Sequence, residues 1–256
     1  MRNFNEYQLN LERSLKQKLF FLKKINIEEY DLVVDYGCGT GIVLNEIKKV
    51  TDKLGTNPTL IGYDYNYEMI AFCKEKYEDI LFTHNQDQIV QNLNNYKKKL
   101  IIFSSVLHEM QEVEQLEAIG FIMPLFDTVV VRDMKRPINN EPISNITRRR
   151  ILNKVPKWQA KQFEKQWGKI TDKFGMYRFF LMNEFVDNFD TEVLEDYFSV
   201  LWSNIEWELD DKNFKLFYGS SYTLPYRKQQ VQKRFNHKMN DITHREVIYT
   251  KANANE

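Results

Sequence analysis

Leu32-Val33-Val34-Asp35 is a short apolar run that opens, after Tyr36, into three glycines at alternate positions, Gly37, Gly39 and Gly41. A run of that length reads as a buried strand. The stretch over residues 40–50 has helical periodicity and leads to a stop at Gly55. Glycines between a strand and a helix let the backbone turn tightly and come close to a ligand. The start of the helix then directs its N–H groups and positive dipole end at that ligand. The alternation continues downstream, with apolar runs at 60–64, 80–82, 99–104 and 128–132 and helical stretches at 66–77 and 111–122. Strands and helices alternating at these lengths imply right-handed crossovers and a mostly parallel sheet with helices on both faces, an α/β fold.

Composition narrows the classes. The 36 basic and 36 acidic side chains cancel, so no chain-wide basic field exists for nucleic acid or membrane, and any such patch is local. Two cysteines, Cys38 and Cys73, make neither a disulfide framework nor a cysteine-based zinc site. His84, His108, His237 and His244 are scattered without metal-ligand spacing, so no metal is expected. The longest apolar stretch, 119–126, is interrupted by Pro124 and far short of the roughly 20 residues of a membrane span. With no apolar run in Met1-Arg2-Asn3-Phe4-Asn5-Glu6 either, the expectation is a soluble cytoplasmic protein without a membrane partner.

The loop itself admits competing nucleotide readings. A dinucleotide fingerprint counted from Gly37 and Gly39 needs a third glycine where the chain has Ile42, which disfavours a nicotinamide-dependent oxidoreductase. A P-loop needs a closing Gly-Lys-Ser/Thr, which is missing. Asp35-x-Gly37-Cys38-Gly39-Thr40-Gly41 resembles motif I of the class I S-adenosylmethionine-dependent methyltransferases. The resemblance implies a Rossmann-like core and S-adenosyl-L-methionine as cofactor, with this loop around its methionine half. It also implies an acid ending the second strand to accept the ribose hydroxyls. Asp64 stands there, in Gly62-Tyr63-Asp64-Tyr65-Asn66-Tyr67-Glu68-Met69, and a carboxylate suits a vicinal diol. The cofactor contacts implied are Asp35, Gly37, Cys38, Gly39, Thr40, Gly41, Asp64, Tyr65, Met69 and Ser104, with Asp87 after the third strand for the adenine amino group. For Asp64 the bland alternative is a helix cap, and for Cys38 a small loop residue rather than a nucleophile. The alternative function is a non-catalytic module that keeps the methyltransferase fold to bind a cofactor or partner.

In open α/β sheets the ligand crevice lies beyond the carboxyl ends of the strands. The fourth and fifth strands end in Ser104-Ser105-Val106-Leu107-His108-Glu109 and Arg132-Asp133. His108 titrates in the useful range, and Glu109 or Asp133 orients it or acts in its place, so these three are the catalytic candidates for transfer to an oxygen or nitrogen acceptor. Arg132 and Asp133, adjacent and opposite in charge, are expected to pair with each other. The signatures of amino-group and carbon-5 DNA-base methyltransferases are absent after the fourth strand.

The domain organisation expected is a helical extension over 1–26, with an amphipathic helix at 5–24, a cofactor half of the core over 27–136, a helical insertion or cap over 137–189 and a C-terminal part of the core over 190–256. Residues 148–178 carry ten Lys/Arg against two acids, with Trp158, Phe163, Trp167 and Phe174 interleaved, while 181–211 carry ten acids and neither Lys nor Arg. Lys157, Lys161, Lys165, Lys169 and Lys173, four apart, predict one basic helical face, with Trp158 and Trp167 towards the buried side. That stretch suits RNA, or it is a solvated face neutralised by the acids that follow. The acceptor expected is a small molecule or nucleic acid.

Overall fold

The computed structural model describes residues 14–91, 93–183 and 189–252. A seven-stranded sheet runs in the order β3-β2-β1-β4-β5-β7-β6. Its strands are β1 (Leu32–Tyr36), β2 (Thr59–Tyr63), β3 (Leu81–Thr83), β4 (Lys99–Ser104), β5 (Thr128–Met134), β6 (Phe214–Tyr222) and β7 (His244–Lys251). β1 to β5 pair in parallel. β7 runs against β5: Lys251 N–H donates to the Asp127 carbonyl at one end, and Lys135 N–H to the Thr243 carbonyl at the other. The parallel α/β sheet predicted from the alternation is what forms, with one antiparallel strand inserted beside β5. β1 and β5 are buried along their whole length, which is why they read as continuous apolar runs rather than alternating ones.

The order places β2 and β3 on one side of β1, and β4 and β5 on the other. Crossovers therefore diverge between β1 and β4, the point where open sheets of this kind form their crevice. The helix Ile42–Leu54 leaves β1 through the glycines and ends at Gly55, whose φ of 73° closes the last turn. The helix Tyr67–Lys76 is capped by Asn66, whose side chain accepts from the Glu68 and Met69 N–H groups.

The chain divides into two compact units. The first holds the described residues up to Asp133 together with Leu201–Gly219 and the chain from Glu246, and the second holds Met134–Val200 and Ser220–Arg245. In the first unit Val33, Leu44, Ile47, Leu100, Ile102 and Ile248 are buried around the sheet. Fully burying each such side chain contributes about 1.5–3 kcal/mol. In the second, Phe163, Phe179, Phe180 and Phe235 form the centre. The Phe163 and Phe179 rings meet edge-on at 5.0 Å, and those of Phe180 and Phe235 lie 4.7 Å apart.

The helix expected over 5–24 is helical at 14–18 and tightens into a 3-10 turn at Phe20–Lys23; its first residues lie outside the described ones. The single lysine face expected over 157–173 is broken. The helix Lys157–Trp167 stops at Gly168, whose φ is 78°, and Lys173 opens a new helix, Lys173–Met182, capped by Asp172. Trp158 is 49% exposed, contrary to the expectation that it faces inward, whereas Trp167 is half-buried and donates from Nε1 to the Val193 carbonyl at 2.7 Å. No helix among the described residues is long and apolar enough to cross a membrane.

Candidate active site

The glycine loop is held open from both sides. Gly37, Gly39 and Gly41 have φ of 79°, 50° and 71°, a region that side-chain-bearing residues enter only at a cost. At Gly37 an added Cβ would sit 2.2 Å from Val106 Cγ2, so glycine is required there by space as well as by conformation. Gly37 and Cys38 N–H groups both donate to the Tyr63 carbonyl, at 2.7 and 2.8 Å, lashing the loop to the end of β2.

Asp64 sits at the next residue. Its Oδ2 accepts from Gly39 N–H and its Oδ1 from Asn66 N–H, both at 2.9 Å. The helix cap that Asp64 offered as an alternative is supplied by Asn66 instead, so the carboxylate is left to join the glycine loop to the start of the next segment. Each carboxylate oxygen has further lone-pair capacity for a ligand.

A cavity at the ends of β1, β2 and β4 gathers most of the predicted residues. Asp35, Gly37, Cys38, Gly39, Asp64, Tyr65, Met69, Ser104 and Glu109 all line it, joined by Lys18 and Val106. Thr40, Gly41, Asp87, His108 and Asp133 are not in that lining. Thr40 is fully buried, Asp87 is exposed at the start of a short helical turn, Asp87–Val90, and Gly41 packs against Phe82. Cys38 is buried, and its hydrogen bond with Cys73, followed by burial itself, raises its thiol well above the ordinary range. It is a neutral loop residue rather than a nucleophile.

Lys18 is the lining residue that sequence reasoning missed. It lies 86 positions from Ser104, yet its Nζ donates to the Ser104 carbonyl at 3.4 Å. Burial, then the nearby Arg132 charge, lowers its pKa to about 8; burial raises Asp35 to about 7 against the opposing pull of Lys18. The cavity thus presents three carboxylates, Asp35, Asp64 and Glu109, to one ammonium, Lys18. That charge set suits a ligand that is cationic overall and carries one anionic group.

His108 and Asp133 form a dyad beside the Val106–Glu109 turn. His108 Nδ1 lies 2.6 Å from Asp133 Oδ1, and both side chains are buried. Asp133 Oδ2 also accepts from Val106 N–H at 3.0 Å and Leu107 N–H at 2.8 Å. Arg132 and Asp133, expected to pair with each other, each also serve the turn after β4. Alternation along β5 sends them to opposite faces, and Arg132 donates to Ser105 Oγ at 2.6 Å. Ser105 itself takes φ of 60°, a strained turn costing about 1–3 kcal/mol that sets the direction of the 104–109 loop.

A family model described as a methyltransferase domain matches residues 27–119, which include β1 to β4, the glycine loop, Asp64 and the His108 turn. Over residues 27–119 the chain is thus similar to a methyltransferase domain. Protein 235L of Invertebrate iridescent virus 6, a candidate methyltransferase, is 29% identical over 102 residues, 40% of this chain; the match spans only 36% of the viral protein. Among solved structures, the cyclopropane synthase MmaA2 of Mycobacterium tuberculosis superposes over 93% of this chain and 84% of its own, with a TM-score of 0.51 at 9% identity. An S-adenosylmethionine-dependent methyltransferase from Archaeoglobus fulgidus covers 96% of this chain and 99% of its own, with a TM-score of 0.50 at 15% identity. The fold is the Rossmann-like one of the class I S-adenosylmethionine-dependent methyltransferases.

S-Adenosylmethionine fits what the site offers. It carries a sulfonium, an ammonium and a carboxylate, one net positive charge, against three carboxylates and one ammonium in the lining. Ser104 Oγ is buried in that lining without a hydrogen-bond partner, a group that a polar ligand would satisfy.

Proposed function

We propose that this chain is an S-adenosylmethionine-dependent methyltransferase acting on an oxygen or nitrogen acceptor. The observation that carries the reading is the Asp64 carboxylate bonded to Gly39 N–H inside the positive-φ glycine loop, at the point where the sheet crossovers diverge. When bound, the cofactor supplies an electrophilic methyl group on a sulfonium. Among the chain's own residues, the glycine loop allows close backbone approach, Asp64 holds the ribose hydroxyls, and Asp35 and Glu109 favour the cationic end. Asp133 fixes the ring of His108 through Nδ1, which makes Nε2 the basic nitrogen for a proton leaving the acceptor. Isothermal titration is expected to show binding of S-adenosylmethionine and S-adenosylhomocysteine. Labelled methyl is expected to enter one pool of a fractionated cell extract. Tight binding with no label in any pool would favour the non-catalytic module, and a thermal shift with NAD alone would favour an oxidoreductase.

A specific observation favours RNA among the acceptors. Arg149, Arg150, Lys154, Lys157, Lys161, Lys165 and Lys169 are exposed on the second unit, and none has an ion pair among the described residues. The acidic stretch that follows takes up Arg178, through Asp196 at 2.6 Å, and leaves these seven to solvent. Unpaired cations beside an exposed Trp158 suit phosphates and a stacked base. Lys157, Lys161 and Lys165 share one face of their helix, so replacing all three by Glu should weaken RNA retention in filter binding more than about tenfold and flatten its salt dependence. Retention insensitive to both salt and the triple change would remove RNA from the candidates.

A further inference from the structure

Lys18 lies upstream of the matched methyltransferase domain and outside every motif of the loop, yet its side chain is 9% exposed and reaches the cavity. A buried ammonium has three donors, and its one hydrogen bond among the described residues, to the Ser104 carbonyl, is long at 3.4 Å. Around it stand Arg132, which repels its charge, and Asp35, Glu109 and Asp133, which attract it. Asp35 and Lys18 together make a cavity wall with one buried anion and one buried cation, both disfavoured by burial and both stabilised by groups of opposite charge.

Resting on the methyltransferase reading, we infer that Lys18 is the carboxylate anchor of the cofactor site. Its ammonium binds the α-carboxylate of the methionyl end, while Asp35 receives the α-ammonium. The wall matches a zwitterion, and a charge-assisted hydrogen bond between Lys18 and a carboxylate gives the buried ammonium the partner that a backbone carbonyl at 3.4 Å supplies poorly. Lys18 is thereby a binding residue contributed by the segment before β1.

Titration with ligands differing only in the carboxylate tests the assignment. Wild-type protein should prefer S-adenosylmethionine over its decarboxylated form by roughly 10- to 100-fold, the range for a hydrogen bond to a charged group. Lys18→Met should lower the affinity for S-adenosylmethionine by that factor, leave that for the decarboxylated form unchanged, and bring the preference close to one. Lys18→Arg should keep most of it. A Lys18→Met protein that retains the wild-type preference would overturn the assignment, as would a wild type that shows none. Equal loss of both ligands and of 5′-methylthioadenosine would overturn it too, showing that Lys18 supports the fold of its segment rather than a carboxylate. Wild-type protein that binds none of the three would remove the methyltransferase reading itself, and the anchor with it.

Discussion

Asp64→Ala is expected to lower affinity for S-adenosylmethionine by at least about 100-fold, measured by isothermal titration. On the proposed role of Asp64, two hydrogen bonds from ribose hydroxyls, worth roughly 1.5–3 kcal/mol each, disappear. The substitution also removes the acceptor of Gly39 N–H, so the loop loses the bond that fixes its approach to the ligand. Asp64→Asn separates these effects. The amide oxygen still accepts from Gly39 N–H, while the NH2 group loses the bond from Asn66 N–H and meets a hydroxyl that must now act as acceptor, so an intermediate loss is expected. Unchanged affinity in the alanine variant would remove the ribose contact from Asp64.

Asp133 should give the largest effect on stability. Its carboxylate is fully buried and serves three donors, Val106 N–H, Leu107 N–H and His108 Nδ1. Asp133→Ala leaves those donors without their acceptor at about 1–3 kcal/mol each, a total on the order of 3–5 kcal/mol when part of the loop relaxes. At about 2–4 °C per kcal/mol for a chain of this size, Tm should fall by roughly 10 °C. Asp133→Asn should keep the two backbone bonds and most of the Tm. Its NH2 donor then faces His108 Nδ1 and shifts the ring proton to Nε2, so methyl transfer falls while cofactor affinity holds. An alanine variant melting within about 2 °C of wild type would contradict the pinning role.

The parts of the site that were legible in the sequence are those whose physics is local. Glycines at 37, 39 and 41 announce positive φ because only glycine enters that region cheaply, and all three have it. Asp64 was readable because it ends an apolar run one strand away from the loop. Lys18 was not, because one lysine on an amphipathic stretch looks the same whether its ammonium faces water or a residue 86 positions away. What Arg132 and Asp133 do was hidden for a related reason: neighbours along a strand point to opposite faces, so adjacency in sequence does not show which loop atoms each one meets. The lysines four apart between 157 and 173 suggested one helix, but Gly168 and the capping Asp172 cut it, a local signal outweighed in the reading by a longer periodicity.

The place of β7 between β5 and β6 bears on how the chain emerges during synthesis. β2 to β5 can pair as they are translated, each finding a partner already made. β6 comes next, yet its permanent neighbour is the strand that follows it, so β5 keeps an open edge until His244–Lys251 arrives. In that interval β6, with Leu216 and Phe217 outward, is a competing occupant of the β5 edge. Until His244–Lys251 takes its place, the open β5 edge is thus the point at which the folding sheet is most exposed to mispairing.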